Sequence, residues 1–506
     1  MSFMKTHPSP PPVAPSSASA AASTCPFHDG EPQEQAADFA HKSHESPPSP
    51  QLPAPPKLPG TWPPGPPAGL TGWRLLRLMS DDLLGALAAW QREYGDVVHL
   101  RIWPEHTVVV TDPSLVRELL ITHHNALIRW ERGVRVMSQL HGHSVLIAEG
   151  GAWHQKRQAL QPDFLPKAVQ AFAPNIVGAT AQALAAWPEH DARWPIERAL
   201  TSLTMDVIIR QVFSEETDDD IRVAEDAMRI ASEAANAEFY WPVSWPDWAP
   251  WKRKKRRALR ILKGLVDRHV QMRLATPDDA WPDDLLTRLL RLHRGNAQAW
   301  PLEAARDECM TTFLAGHETT AATLTWWAWC MASNPTMQAA AREEVTRVLS
   351  GGLPISASRQ SLPYLAQTLD ETLRLYPTAP TLISRRAIAP VTLGDWTFPA
   401  RTLFMLPVQL MQHDARWFEA PGEFRPERFA AGAAQIPRGA HMPFGAGPRV
   451  CLGQHLALTK ALLIAAMILQ RFELSVPAGA QPPQPRLNVT LRPAQPLRLE
   501  IAQRRR

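Results

Sequence analysis

Cys451 is the thiol in this chain best placed to do chemistry. It lies at the end of the glycine-rich loop in the run Phe444-Gly445-Ala446-Gly447-Pro448-Arg449-Val450-Cys451-Leu452-Gly453. Glycines there let the backbone turn and approach a flat ligand closely, and Pro448 removes one donor and fixes one φ angle. Downstream, His455 to Leu463 reads as a helix whose positive N-terminal end faces the sulfur. That dipole contributes only about 0.3–1 kcal/mol, which is small against a free-thiol pKa of about 8.5. A thiolate at this position therefore needs metal coordination to form, and the arrangement suits an axial iron ligand. The competing reading is a buried structural cysteine, the ordinary fate of a free thiol.

A second group of reactive side chains lies in Asp307 to Leu324, with Gly316, Glu318, Thr319 and Thr320 at its centre. No proline interrupts Leu302 to Ser333, and the apolar residues, Trp326, Trp327 and Trp329 among them, cover several faces. The spacing predicts one long buried helix. Glycine, an acid and two hydroxyls in the middle of such a helix are locally inconsistent, and such breaks mark functional sites. A plain kink, with threonine hydroxyls bonding back to i−4 carbonyls, is the structural alternative. His317-Glu318 does not begin a zinc-protease motif, because position 321 is Ala.

Two further pairs have helical spacing. Glu371 and Arg374 lie three apart and share a face, followed by Leu375-Tyr376-Pro377 and later by Phe424-Arg425-Pro426-Glu427-Arg428-Phe429. Trp153 and Arg157 lie four apart, so an indole and a guanidinium project together, and arginine suits bidentate pairing with carboxylates.

Taken together, these motifs resemble the cytochromes P450. Phe444, Gly447, Arg449, Cys451 and Gly453 match that family's haem-binding signature, Ala315-Gly316-x-Glu318-Thr319 its oxygen-side helix, Glu371-x-x-Arg374 its core motif, and Trp153-x-x-x-Arg157 its haem-edge motif. They occur in family order over roughly residues 60–506. The resemblance implies a mainly α fold with a small β region, the long central helix lying over haem b and locally opened to admit water and dioxygen. It implies that Cys451 ligates the iron and that Phe444, Gly445 and Gly453 shape the cofactor loop. Trp153, Arg157, Arg449 and Arg385 would meet the haem carboxylates, with Arg386 as the competitor for the last role. Glu318 and Thr319 would handle protons and oxygen, and Glu371, Arg374 and Arg428 would form a structural triad. The implied activity is monooxygenation: one atom of dioxygen enters an apolar substrate such as a fatty acid, terpene or polyketide. Segments 127–145, 313–315, 379–383 and 489–491 would line the pocket. A peroxygenase or isomerase, or a haem sensor without turnover, are the alternatives; the acid–alcohol pair argues against the former.

The surrounding chain must position these groups. At 506 residues with 45% hydrophobic content the protein is ordinary for a globular enzyme. A formal net charge of +4 gives no concentrated basic face for nucleic acid. The four cysteines, Cys25, Cys309, Cys330 and Cys451, lack disulfide or zinc spacing. No uninterrupted apolar run reaches the roughly 18 residues of a spanning helix, and the N-terminus lacks a secretory pattern. We expect a soluble, cytoplasmic, monomeric protein of bacterial type. The chain continues only from Cys451 to Arg506, so electrons are expected from a separate ferredoxin or flavodoxin with an NAD(P)H-dependent reductase, docking near Lys156, Arg157 and Arg449. Residues 1–60, rich in Pro, Ala and Ser, read as a disordered tail, and 61–506 as the haem domain. Val97–Ile102 and Thr107–Val110 read as a hairpin; Ile176–Ala186, Ile196–Phe213 and Ala258–Leu274 read as helices. The aromatic and basic stretch Phe239–Arg257 reads as a loop over the substrate entrance, leading into a helix with a solvated basic face.

Overall fold

The computed structural model describes residues 62–504 apart from 215–217, 242–244 and 247. The expected tail and the Cys25–His28 pair lie outside the described residues. Chain order begins with α1 (Trp73–Asp81) and α2 (Leu83–Tyr94), then the antiparallel hairpin β1 (Val97–Ile102) and β2 (Glu105–Val110). Next come α3 (Pro113–Ile121), the short strand β3 (Leu127–Arg129), α4 (Glu131–His141) and α5 (Gly150–Leu160). Asp112 shows how such helices start: its carboxylate accepts the amides of Ser114 and Leu115, with Pro113 in the first turn.

The helical body follows: α6 (Pro166–Ala185), a strand β4 (His190–Trp194), α7 (Ile196–Phe213), α8 (Asp218–Phe239), α9 (Arg253–Ala275), α10 (Leu285–Gly295), α11 (Leu302–Ser333), α12 (Pro335–Leu349) and α13 (Pro363–Leu375). Strands β5 (Leu382–Ala387), β6 (Val391–Leu393), β7 (Trp396–Phe398) and β8 (Leu403–Leu406) lead to α14 (Val408–Gln412). After a long irregular segment come α15 (Gln454–Arg471), β9 (Phe472–Ser475), β10 (Pro485–Asn488), β11 (Thr490–Pro493) and β12 (Leu499–Gln503). The architecture is mainly α with small sheets, as the sequence predicts. The largest sheet has the order β1-β2-β8-β5-β3; β4-β12-β9 form another, and β6-β7 and β10-β11 are hairpins. Among the described residues no helix is long and apolar enough to cross a membrane.

At about 1.5 Å per residue, the 32 residues of α11 span roughly 48 Å through the main core. Its apolar residues go all round because neighbours cover it all round. Trp326 and Trp327 are fully buried, yet each indole finds an acceptor, Leu491 O at 2.9 Å and Thr368 Oγ1 at 3.0 Å. Gly316 lets α7 approach: a Cβ there would sit 2.5 Å from Ile208 Cδ1. The local opening expected in this helix is not seen. α11 is helical from end to end, its threonine hydroxyls bonding back to carbonyls four residues earlier.

Several boundaries differ from the sequence reading: β2 begins at Glu105 rather than Thr107, and the helix read from His455 to Leu463 runs from Gln454 to Arg471. The Ile176–Ala186 helix begins at Pro166, since a proline in the first turn costs nothing, and it runs through Pro174. The Ala258–Leu274 helix begins at Arg253. There the solvated-face expectation fails for two bases. Lys252 and Lys255 are buried, and their ammonium groups lie 3.3 and 2.6 Å from the carboxylate of Glu238 on α8. Arg253, Lys254 and Arg257 are exposed.

Candidate active site

The loop before α15 folds back on itself to present the Cys451 sulfur. The Cys451 amide donates to Phe444 O at 3.0 Å, Gly445 N–H to Met442 O at 3.0 Å, and Val450 N–H to Gly447 O at 3.0 Å. Gly447 is required twice over: its φ is +72°, and a Cβ would lie 2.2 Å from the Leu120 carbonyl at the end of α3. Gly453 caps α15, and its amide donates to the Cys451 sulfur. Burial raises the Cys451 thiol pKa, while the Gly453 amide and the Arg157 charge pull it down. Cys451 is nonetheless accessible, so it lines an internal cleft. Cys309 and Cys330 are buried, with thiols pushed up by desolvation, an effect that the Thr372 hydroxyl and the Arg374 charge only partly offset at Cys330.

α11 contributes the accessible stripe. Within its buried middle, Ala315 is exposed and Thr312, Gly316 and Thr319 are half-buried, positions that share one face. The Thr319 hydroxyl donates to Ala315 O at 2.8 Å. Glu318 is turned toward β11 and α8. Its carboxylate accepts Thr490 Oγ1 at 2.9 Å and Ser232 Oγ at 3.4 Å, and lies 3.8 Å from Arg492.

Four guanidinium groups gather at another edge. Arg129 on β3 and Arg385 on β5 are direct cross-strand partners; the Arg129 charge lowers the pKa of both Arg385 and Arg449, and Arg157 lowers those of Arg129 and Arg449. Like charges facing each other across a strand pair are destabilising. Burial first, then Arg129 and Arg449, push Arg385 down to about 9; burial and Arg129 push Arg449 to about 10. Among the described residues one carboxylate serves the group, Glu149, which pairs with Arg449 and lies 3.5 Å from Arg129. Among the described residues Nε of buried Arg129 has no hydrogen-bond partner, and Nη1 has only the long contact with Glu149. Arg157 donates to Val450 O at 3.0 Å, beside the thiol. The Trp153 ring is buried between Arg449 at 4.1 Å and Arg157 at 5.9 Å, so it acts as a platform that orients both cations.

Arg385 and Arg386 alternate along β5 and so point to opposite faces. Arg386 is committed elsewhere, bonding Glu105 at 2.6 and 2.7 Å and Glu131 at 3.0 Å. Arg129 was not among the residues the sequence singled out; its one signal is a lone arginine ending the apolar run of β3. Lys156, expected at a docking surface, is instead drawn inward. It pairs at 2.9 Å with Glu308, whose carboxylate is buried in α11, leaving the lysine side chain 14% exposed.

Away from the cleft, Glu371, Arg374 and Arg428 meet in the core. Glu371 accepts Arg374 Nε and Nη2 at 2.7 and 2.8 Å and Arg428 Nε at 3.3 Å. Arg374 also donates to the carbonyls of Gln412, Pro421 and Glu423, tying α13 to the segment that leads toward the cysteine loop.

A cleft with a thiol held by a rigid loop, a half-apolar helix stripe, and buried cations short of anions fits a flat iron-binding ligand that carries carboxylates. A haem answers all three demands: an iron for the sulfur, a ring for the cleft, and propionates for the arginines.

Comparison with known proteins agrees with this fit. The model of the family Cytochrome P450 matches residues 63–501. A "Cytokinin hydroxylase" of Arabidopsis thaliana is 31% identical over 409 residues, 78% of this chain and 78% of that protein. A "Cyclooctat-9-en-7-ol 5-monooxygenase" of Streptomyces melanosporofaciens is 31% identical over 412 residues, 78% of this chain and 88% of its own. "Protein LUTEIN DEFICIENT 5, chloroplastic" of Arabidopsis thaliana is 26% identical over 437 residues, 81% and 72% of the two chains. The chain belongs to the cytochrome P450 family, haem monooxygenases whose iron is ligated by a cysteine and which draw on dioxygen and a redox partner.

Proposed function

We propose that this enzyme holds haem b through Cys451 and inserts one oxygen atom into an apolar substrate. The observation that carries the reading is the pairing of a loop-held accessible thiol with the cluster of Arg129, Arg157, Arg385 and Arg449 served by a single carboxylate. When bound, thiolate-ligated haem supplies the activation of dioxygen, using two electrons and two protons.

The chain's own residues do the rest. The Gly453 amide and Arg157 stabilise negative charge on the sulfur. Arg129, Arg385 and Arg449 bind the propionates, steadied by Trp153, because buried guanidinium groups gain most from partners that neutralise them. Thr319 presents a hydroxyl to the cleft from α11, and it exchanges its bond to Ala315 O for one to a water or to the reacting oxygen. Glu318, partly accessible and held by Thr490 and Ser232, passes protons inward from solvent. The substrate is apolar, of fatty-acid, terpene or polyketide kind. The positions nearest the Thr319 stripe, Phe313, Leu314 and Ala315, bear no charge, and the β10–β11 turn carries Val489 at φ +63°. A β-branched residue in that conformation stores strain of about 1–3 kcal/mol, which is characteristic of ligand-facing segments.

Electrons come from a separate ferredoxin or flavodoxin with its reductase, and the enzyme works in the cytoplasm as a soluble protein. The test is reconstitution with a surrogate ferredoxin, its reductase and NADPH. Oxygenated product dependent on all three supports the reading, product formed only with added hydrogen peroxide favours a peroxygenase, and haem binding without any product favours a sensor.

A further inference from the structure

One turn of α11 is gripped from outside by two cations. Lys460, in the middle of α15 and fully buried, donates from Nζ to the Gly316 carbonyl at 2.7 Å. Arg492 on β11 reaches the Glu318 carbonyl, two residues on, at 3.4 Å. A mid-helix carbonyl ordinarily serves the amide four residues ahead. The Gly316 oxygen also accepts the Thr320 hydroxyl at 3.1 Å. With the Thr320 amide, three donors converge on an atom that has two lone pairs. The ammonium is the strongest of them, because charge-assisted hydrogen bonds are roughly twice as strong as neutral ones. The neutral Thr320 amide competes with it for that oxygen, within a helix that remains continuous.

Lys460 is costly to keep where it is. Burial pushes its ammonium down to about 7, and its helix neighbours Ala461, Leu462 and Leu463 belong to the apolar core. His317, the titratable group on α11 that its charge affects, is itself held neutral by burial, by Arg492 and by Lys460, at about 3, so it adds no second positive charge there. A methionine would fill the same space without the penalty. An ionisable donor kept in an apolar core at such a cost marks a functional position.

We infer that Lys460 is a positioning residue: by drawing the Gly316 carbonyl toward α15, it loosens the Gly316–Thr320 hydrogen bond and makes this the turn at which α11 opens beside Thr319. The contact also links the oxygen-side helix to the helix that follows Cys451. Its meaning for oxygen chemistry rests on the function proposed above, whereas the loosening itself does not.

The test is residue-resolved amide hydrogen exchange on the haem-loaded full-length protein, comparing wild type with Lys460→Met and Lys460→Gln. Met fills the site without a donor, and Gln keeps an uncharged one. Exchange at the Thr320 amide is expected to slow roughly three- to ten-fold in the Met variant, with Gln between it and wild type. Unchanged or faster exchange in a Met variant of wild-type thermal stability overturns the proposal. If the Met variant does not fold, the Gln variant decides: slower exchange supports the lever, and unchanged or faster exchange overturns it. The carbon monoxide spectrum of the same samples reports separately on the thiolate–haem reading.

Discussion

Arg129 and Arg385 oppose each other across β3 and β5, an arrangement that only a bound anion makes favourable. Removing one of them should therefore cost the cofactor more than the fold. Arg129→Met keeps the apolar stem, relieves the like-charge contact, and should leave apoprotein stability unchanged or higher while haem loss quickens about ten-fold, the loss of one charge-assisted pair. Haem retention equal to wild type would place the propionates elsewhere. Thr319 is argued from its accessible hydroxyl in an otherwise buried helix. Thr319→Ala should bind substrate normally and still consume NADPH, while product per NADPH falls roughly ten- to hundred-fold and hydrogen peroxide rises. A fully coupled variant would shift the role to Thr320, whose hydroxyl bonds Gly316 O. At this scale the sequence was legible where residues sit close together in a motif, as Cys451, Arg449 and Gly453 do. It was silent on Arg129 and Lys460, whose partners come from distant strands and helices, and it could not show that Arg386 is taken by Glu105 and Glu131 until the strands had been placed in a sheet.

Elements were legible to the extent that local rules governed them. Ile196–Phe213 and Leu302–Ser333 emerge with the expected bounds, three of the four ends lying beside Pro195, Pro301 and Pro335, and β1–β2 form the expected hairpin. Lys252, Lys255 and Lys156 misled, because a basic residue reads as solvated unless the buried carboxylate that receives it, Glu238 or Glu308, is known. The junction of α13 with the segment before the cysteine loop rests on the buried Glu371–Arg374–Arg428 network. Glu371→Ala leaves Arg374, fully buried, without its carboxylate. The expected loss is about 3–5 kcal/mol, seen as a lower unfolding midpoint in denaturant and a small yield of haem-loaded protein. A variant of normal stability and loading would mean that the carbonyls of Gln412, Pro421 and Glu423 alone suffice for Arg374.

For the molecule as a whole, the fold class and the order of its motifs followed from the chain, whereas the side-chain traffic between α11, α15 and the sheets did not, because it joins segments far apart in sequence. What unites the account is a single claim, that the Cys451 sulfur is the iron ligand, and every other role is placed relative to it. The Gly453 amide, the Phe444 carbonyl and the close approach of Gly447 to α3 exist to hold that atom. The most direct measurement is the absorption spectrum of the reduced protein under carbon monoxide, for wild type and Cys451→Ser at equal haem content. The account predicts a strongly red-shifted Soret band in wild type and its loss in the serine variant. A band that persists in Cys451→Ser, or that is absent from folded, haem-loaded wild type, would contradict it.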